Sequence, residues 1–202
     1  MPRALCYRGR MSRSAELLRR IREDENLTEL LAHHFEFDIR RTAYTDAPRL
    51  ASGAPLEMIA GDFAGGAFYE SGDGADRPVW YAGSEGEAGI IAPDLREALV
   101  LLIGLPYWRD CLKFSDDGDL DAMRTAASFL QRDLLAGDPE LPSAQRRAAE
   151  ALGLAVEPVP VLVERLHATV RDTGSADLFL DDTGEYDGLF GPFPPSRNPR
   201  WR

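Results

Sequence analysis

A chain of 202 residues with 44% hydrophobic and 28% charged side chains has an ordinary globular composition, sufficient for one buried core, with or without an added helical lobe. Its net charge of -11 argues against nucleic-acid phosphates and anionic membranes as ligands, because both call for clustered Lys and Arg. Two cysteines, Cys6 and Cys111, are too few for a disulfide scaffold and read as free thiols in a reducing, cytoplasmic compartment.

Residues 1–13 read as a loose basic extension, with Met11 a second candidate start. From Ser14, a plausible N-cap, to about His34, apolar residues recur at spacings of three and four, apart from a polar break at residues 23–26. That spacing predicts a helix. Residues 35–39 are a candidate short strand and 40–55 a polar loop. Four short apolar runs follow, over 56–60, 67–70, 78–82 and 89–92, separated by glycine-rich stretches at 61–66, 71–74 and 83–89. This spacing predicts an antiparallel meander, since glycine supplies the positive φ of tight turns. Asp94, with Glu97 three residues on, has capping-box spacing before the apolar face of Leu95, Ala98, Leu99 and Leu102. Further helices are predicted from Tyr107 to Phe114, from Leu120 to a stop at Gly137, from Ser143 to Leu152 and from Pro160 to Val170. Residues 178–180 are a candidate edge strand. The whole is an α+β pattern: a meander sheet flanked by N-terminal and C-terminal helices, in one domain over 14–190 with its core at 56–135. Residues 191–202, with four prolines and three arginines, are expected to be disordered.

Several patterns resemble catalytic or metal-binding motifs but lack parts. The glycines of 61–66 precede a strand and no Lys-Ser or Lys-Thr pair, so they read as a turn and not a phosphate loop. Ser84 has Ala82 where a nucleophile elbow needs glycine. Asp117, Asp119 and Asp121 alternate like a calcium loop, but its sixth and twelfth positions hold Ala122 and Ser128. Acids before a helix start are explained by the helix dipole. Adjacent His33 and His34 point to different faces and cannot readily chelate one metal, while His167 reads as structural. No catalytic residue, metal or organic cofactor is expected.

The charge is uneven. Residues 1–50 carry ten Arg against eight acids, whereas residues 51–121 carry fourteen acids against four bases. Between Asp62 and Asp94 stand seven acids against Arg77 alone. Acids in turns can form a surface for a basic protein, with association steered by charge. The candidate partner-binding residues are Asp62, Glu70, Asp73, Asp76, Glu85 and Glu87, joined by Trp80 and Trp108 as anchors should they be exposed.

Residues 57 to about 135 resemble the SUKH superfamily, best known for immunity proteins of bacterial toxin systems. The resemblance rests on an ordered set: EMIAGDFAGG at 57–66, RPVWYAGSEGEAGIIAP at 77–93, LREAL at 95–99 and LPYWRDCLKF at 105–114, with GLFG at 188–191. The Leu-Pro-x-x-Tyr-like opening of many members is absent from 14–48. The resemblance implies an α+β fold without catalysis and, as partner, a cognate toxin, often one acting on nucleic acid; the acidic segment adds the expectation that this toxin has a basic surface. The alternatives are a regulatory scaffold or adaptor, or a hydrolase or small-molecule binder with an acidic pocket near Asp62 and Glu85.

Overall fold

The computed structural model describes residues 12–42, 48–74, 77–173, 178–198 and 201. Two helices open it, α1 (Arg13–Glu23) and α2 (Glu25–Phe35). The single predicted helix is split because Asp24 leaves helical geometry and its carboxylate accepts from Leu27 N. The N-cap of α1 is Ser12, whose hydroxyl accepts from Ala15 N, while Ser14 lies buried inside the helix. Leu18 and Ile21 of α1 and Leu27, Leu31 and Phe35 of α2 carry the apolar faces inward. The predicted strand over 35–39 is not formed. Helix α2 runs to Phe35, Glu36 takes the left-handed conformation (φ 53°), and only Asp38 bridges to Gly61.

After β1 (Arg49–Leu50) comes the meander of β2 (Leu56–Gly61), β3 (Ala67–Ser71), β4 (Val79–Ala82) and β5 (Ala88–Ala92), antiparallel in the order β2-β3-β4-β5. The register pairs Phe68 with Tyr81 and Tyr69 with Trp80. Because successive side chains point to opposite faces, these pairs serve two different cores. Phe68 and Tyr81 join Ile59, Ile91 and the helices in the main core, whereas Tyr69 and Trp80 join Leu50 and Phe179 in a second one. Register shifts at Met58/Ala60 and Val79/Trp80 break the alternation. They put the consecutive pairs Ile59 with Ala60 and Ile91 with Ala92 into the main core.

Helix α3 (Leu95–Gly104) starts on Asp94, whose carboxylate accepts from Glu97 N, and is almost wholly buried. Helices α4 (Trp108–Lys113), α5 (Leu120–Gly137), α6 (Leu141–Leu152) and α7 (Val159–Thr173) complete the helical layer. Asp119 caps α5 by accepting from Ala122 N, a contact more specific than the dipole interaction expected of acids before a helix. Imidazole Nε2 of His167 sits 2.8 Å from the Gly118 carbonyl oxygen, a structural contact. Cys111 is a free, buried thiol whose pKa is raised by burial.

The outer face of the sheet has a cover that the sequence did not reveal. The stretch 40–55, expected to be a loop, contains β1, which pairs with β6 (Phe179–Leu180) as a separate two-stranded sheet. The Phe179 ring lies 5.6 Å from Tyr69, 6.1 Å from Trp80 and 5.1 Å from Tyr186. Trp80 is consequently 2% exposed, and its indole N–H donates to the Ser71 hydroxyl.

The C-terminal tail is also ordered where described. Gly191 N donates to the Leu112 carbonyl, Asp117 N donates to the Gly191 carbonyl, and Trp201 stacks on Phe129 at 5.5 Å and meets Phe114 edge-on. Prolines gave the tail a disordered composition, but Phe190, Pro195 and Trp201 provide enough apolar surface to dock it. Among the described residues no helix is long and apolar enough to cross a membrane. Phe179→Ala is expected to cost about 3 kcal/mol of stability, the usual scale for deleting a buried aromatic. It should also shift the fluorescence of Trp80 to the red. Urea denaturation and emission spectra check both.

Candidate functional site

The site begins with the turn between β2 and β3. Asp62 is 2% exposed. Its Oδ1 accepts from Ala64 N at 2.8 Å and Gly66 N at 2.7 Å, closing the turn. Its Oδ2 accepts from the Tyr81 hydroxyl at 2.8 Å and from Arg109 Nη1 at 2.5 Å. Gly66 is required here by contact, since a Cβ there would run into the Tyr81 hydroxyl and the Asp62 carboxylate, while the turn's positive φ falls on Gly65. On its other side Arg109 pairs with Glu36, whose left-handed backbone at the end of α2 brings its carboxylate within reach. Arg109 also donates to the Tyr81 hydroxyl at 2.9 Å. Burial pushes the Arg109 pKa below the ordinary arginine value, but a guanidinium remains a cation throughout the range in which proteins stay folded.

Around this network lies a broad, open depression of about 1520 Å³. The β4–β5 turn, α4, the end of α2 and residues 185–193 line it. Eight of the lining residues are acids (Glu36, Glu85, Glu87, Asp110, Asp117, Asp138, Glu185 and Asp187), against Arg109, Lys113 and Arg171. Residues 185–187 run beside the start of β5. Ala88 N donates to the Asp187 carbonyl and Asp187 N to the Gly86 carbonyl, each at 2.8 Å. This pairing sets Glu185 and Asp187 next to Glu85 and Glu87, although about a hundred residues separate them in the chain. Glu87 is half-buried against Gly83, and its pKa is raised by burial first and then by the negative charges of Glu85 and Asp62.

The structure distributes the sequence-predicted residues unevenly. Glu85 and Glu87 stand together at the depression. Asp73 is exposed in the β3–β4 connection but does not line it, and Asp76 lies outside the described residues. Asp62 is buried and its carboxylate has four donors, so its expected role as a surface acid is corrected. Glu70 is likewise corrected: it is 0% exposed and pairs with Arg77, which also holds Glu57. A turn or strand acid can point inward when an arginine meets it, and sequence alone does not show which arginine will. Trp80 and Trp108, at 2% and 3% exposed, do not meet the condition set for anchors. The first is under the β1–β6 cover, and the second meets Tyr81 edge-on at 4.9 Å in the main core. Sequence reasoning missed Glu185 and Asp187. The GLFG motif just beyond them was the nearest signal.

His34 Nδ1 lies 3.4 Å from Asp138, and the His33 ring packs edge-on against His34. No group of three or more His, Cys, Asp or Glu among the described residues is placed to hold a metal ion. Comparison with protein-family models, with curated proteins and with solved structures finds no match for this chain.

Two outcomes are expected. Asp62→Ala leaves Arg109, Tyr81 and two backbone N–H groups short of their acceptor, and should cost about 3 kcal/mol in urea denaturation. Glu87 follows the opposite sign. Its folded-state pKa is above the ordinary 4.5, so the folded protein binds more protons than the unfolded chain between those two values. Stability from this group is therefore complete below pH 4.5 and declines as pH rises through the raised pKa. Glu87→Gln should accordingly melt higher than the parent at pH 7, and the two should converge on acidification. Melting temperatures measured across pH test this.

Proposed function

We propose that this chain is a non-catalytic protein-binding domain that acts as an immunity protein of the SUKH kind, neutralising a nucleic-acid-targeting toxin by covering its basic surface. The observation that carries this reading is the acidic depression. There β4–β5 and the C-terminal segment, far apart in sequence, are hydrogen-bonded together so that Glu85, Glu87, Glu185 and Asp187 form one rim. The raised pKa of Glu87 adds to it: burial first, and then the charges of Glu85 and Asp62, disfavour its carboxylate, and an arriving cation relieves the second of these. A toxin that grips nucleic acid needs a basic groove, and that groove supplies such cations.

The disposition of Asp62 supports binding over hydrolysis. A general base needs a lone pair directed at substrate, whereas the oxygens of Asp62 are engaged by the turn amides, Tyr81 and Arg109. Glu85 is exposed on its turn and has no shared buried site with Asp62. Charge on a rim contributes mainly to on-rate and specificity, and its effect is screened by salt.

The experiment is co-expression with a toxin encoded beside this chain. A variant carrying Glu85→Gln, Glu87→Gln, Glu185→Gln and Asp187→Asn should lose protection. Its association rate should fall on the order of tenfold at low salt. Its melting temperature should stay at or above that of the parent. Equal binding and protection by the variant at physiological salt would sink the reading.

A further inference from the structure

Affinity between proteins usually comes from a few apolar or aromatic anchors that charge alone does not replace. With both tryptophans buried, the anchor has to be sought elsewhere. Four large hydrophobic side chains stand exposed among the described residues: Phe63 at 55%, Val156 at 54%, Phe193 at 44% and Leu135 at 41%. A single exposed apolar residue is ordinary on a protein surface. Phe193 also lines the depression and packs against Phe114, but Phe63 alone of the four follows a buried carboxylate that fixes its turn.

Phe63 occupies the tip of the β2–β3 turn, directly after Asp62. Asp62 N donates to the Gly66 carbonyl at 2.9 Å, and Asp62 Oδ1 receives Ala64 N and Gly66 N. The same carboxylate is fixed to Tyr81 and Arg109 behind it. Burying such a charged network is costly, and here it fixes the backbone on both sides of one solvent-facing ring. The Arg41 guanidinium lies over that ring, 4.7 Å from its centroid, and further limits its motion. A ring ordered before binding loses little freedom on contact, which is the condition for an efficient anchor. The next residue, Ala64, lines the acidic depression, so the ring stands at its edge, one residue away.

We propose that Phe63 is the apolar anchor by which this domain seats a basic protein, its ring entering an apolar pocket beside the partner's cationic groove while the rim acids meet the groove itself. The inference rests on the binding reading above and assigns it a contact point. It commits to a basic protein as occupant because the depression that begins at Ala64, one residue from the ring, is lined by eight acids against three bases, while Arg41 over the ring is itself paired with Asp38.

The test uses the full chain with the photo-cross-linker p-benzoylphenylalanine substituted for Phe63, and in a control for Val156, which is equally exposed. Irradiation in the producing cells is expected to give an adduct with a basic protein from position 63 and none from position 156. The captured protein is then purified and its affinity measured. Phe63→Ala should weaken binding about tenfold or more with no change in melting temperature. No adduct at 63, identical adducts at both positions, an acidic captured protein, or an affinity for Phe63→Ala within about twofold of the parent each overturns the inference. Failure here is separable from failure of the functional reading. If Phe63→Ala binds normally and the four-acid variant does not, the anchor falls and the acidic surface stands. If both variants lose a captured protein that is not toxic, the surface stands and the immunity role falls.

Discussion

The carboxylate of Asp62 ties three parts of the molecule to one point. Its first oxygen closes the β2–β3 turn, and its second takes a hydroxyl from β4 and a guanidinium from α4, which in turn reaches Glu36 at the end of α2. A lone carboxylate inside a protein is strongly disfavoured; with four donors it becomes a restraint. Every contact it makes is directional, so the turn, the sheet and the two helices share one fixed geometry. The acidic depression and the Phe63 turn inherit their positions from it.

The sheet is covered on both sides, and that governs what is left for a partner. Helices take the face of Phe68 and Tyr81, while the β1–β6 pair takes the face of Tyr69 and Trp80. Neither face is free to bind. The rim where β4 turns into β5 and the C-terminal segment runs alongside lies outside both covered faces, and its acids stay accessible. Gly191 lies so close to the Lys113 backbone that a Cβ could not fit, and this contact holds the C-terminal segment against α4.

Features with local causes were legible in the sequence. The four strands of the meander, the cap at Asp94, and the stop of α5 at Gly137 each follow from residues within a few positions of one another. Features with distant causes were not. Arg49 and Leu50 carry no strand signal of their own and become one by pairing with residues near 180. Asp62 and Glu70 look like surface acids until Arg109 and Arg77 are placed beside them. The candidate site was half legible for the same reason: Glu85 and Glu87 announce themselves in a glycine turn, whereas Glu185 and Asp187 join them only through tertiary hydrogen bonds.

The two-stranded cover has a consequence for the order of folding. Its strands are about 130 residues apart in the chain, and contacts at such separation form late because the loop between them must first be ordered. Within the meander each strand pairs only with its neighbour in sequence, a pairing of the kind that forms early. During synthesis the Tyr69 and Trp80 face lacks its Phe179 cover until β6 has been made, which leaves apolar surface exposed in the interval. Trp80 thus provides a built-in probe, its indole leaving water only when the second core closes over it.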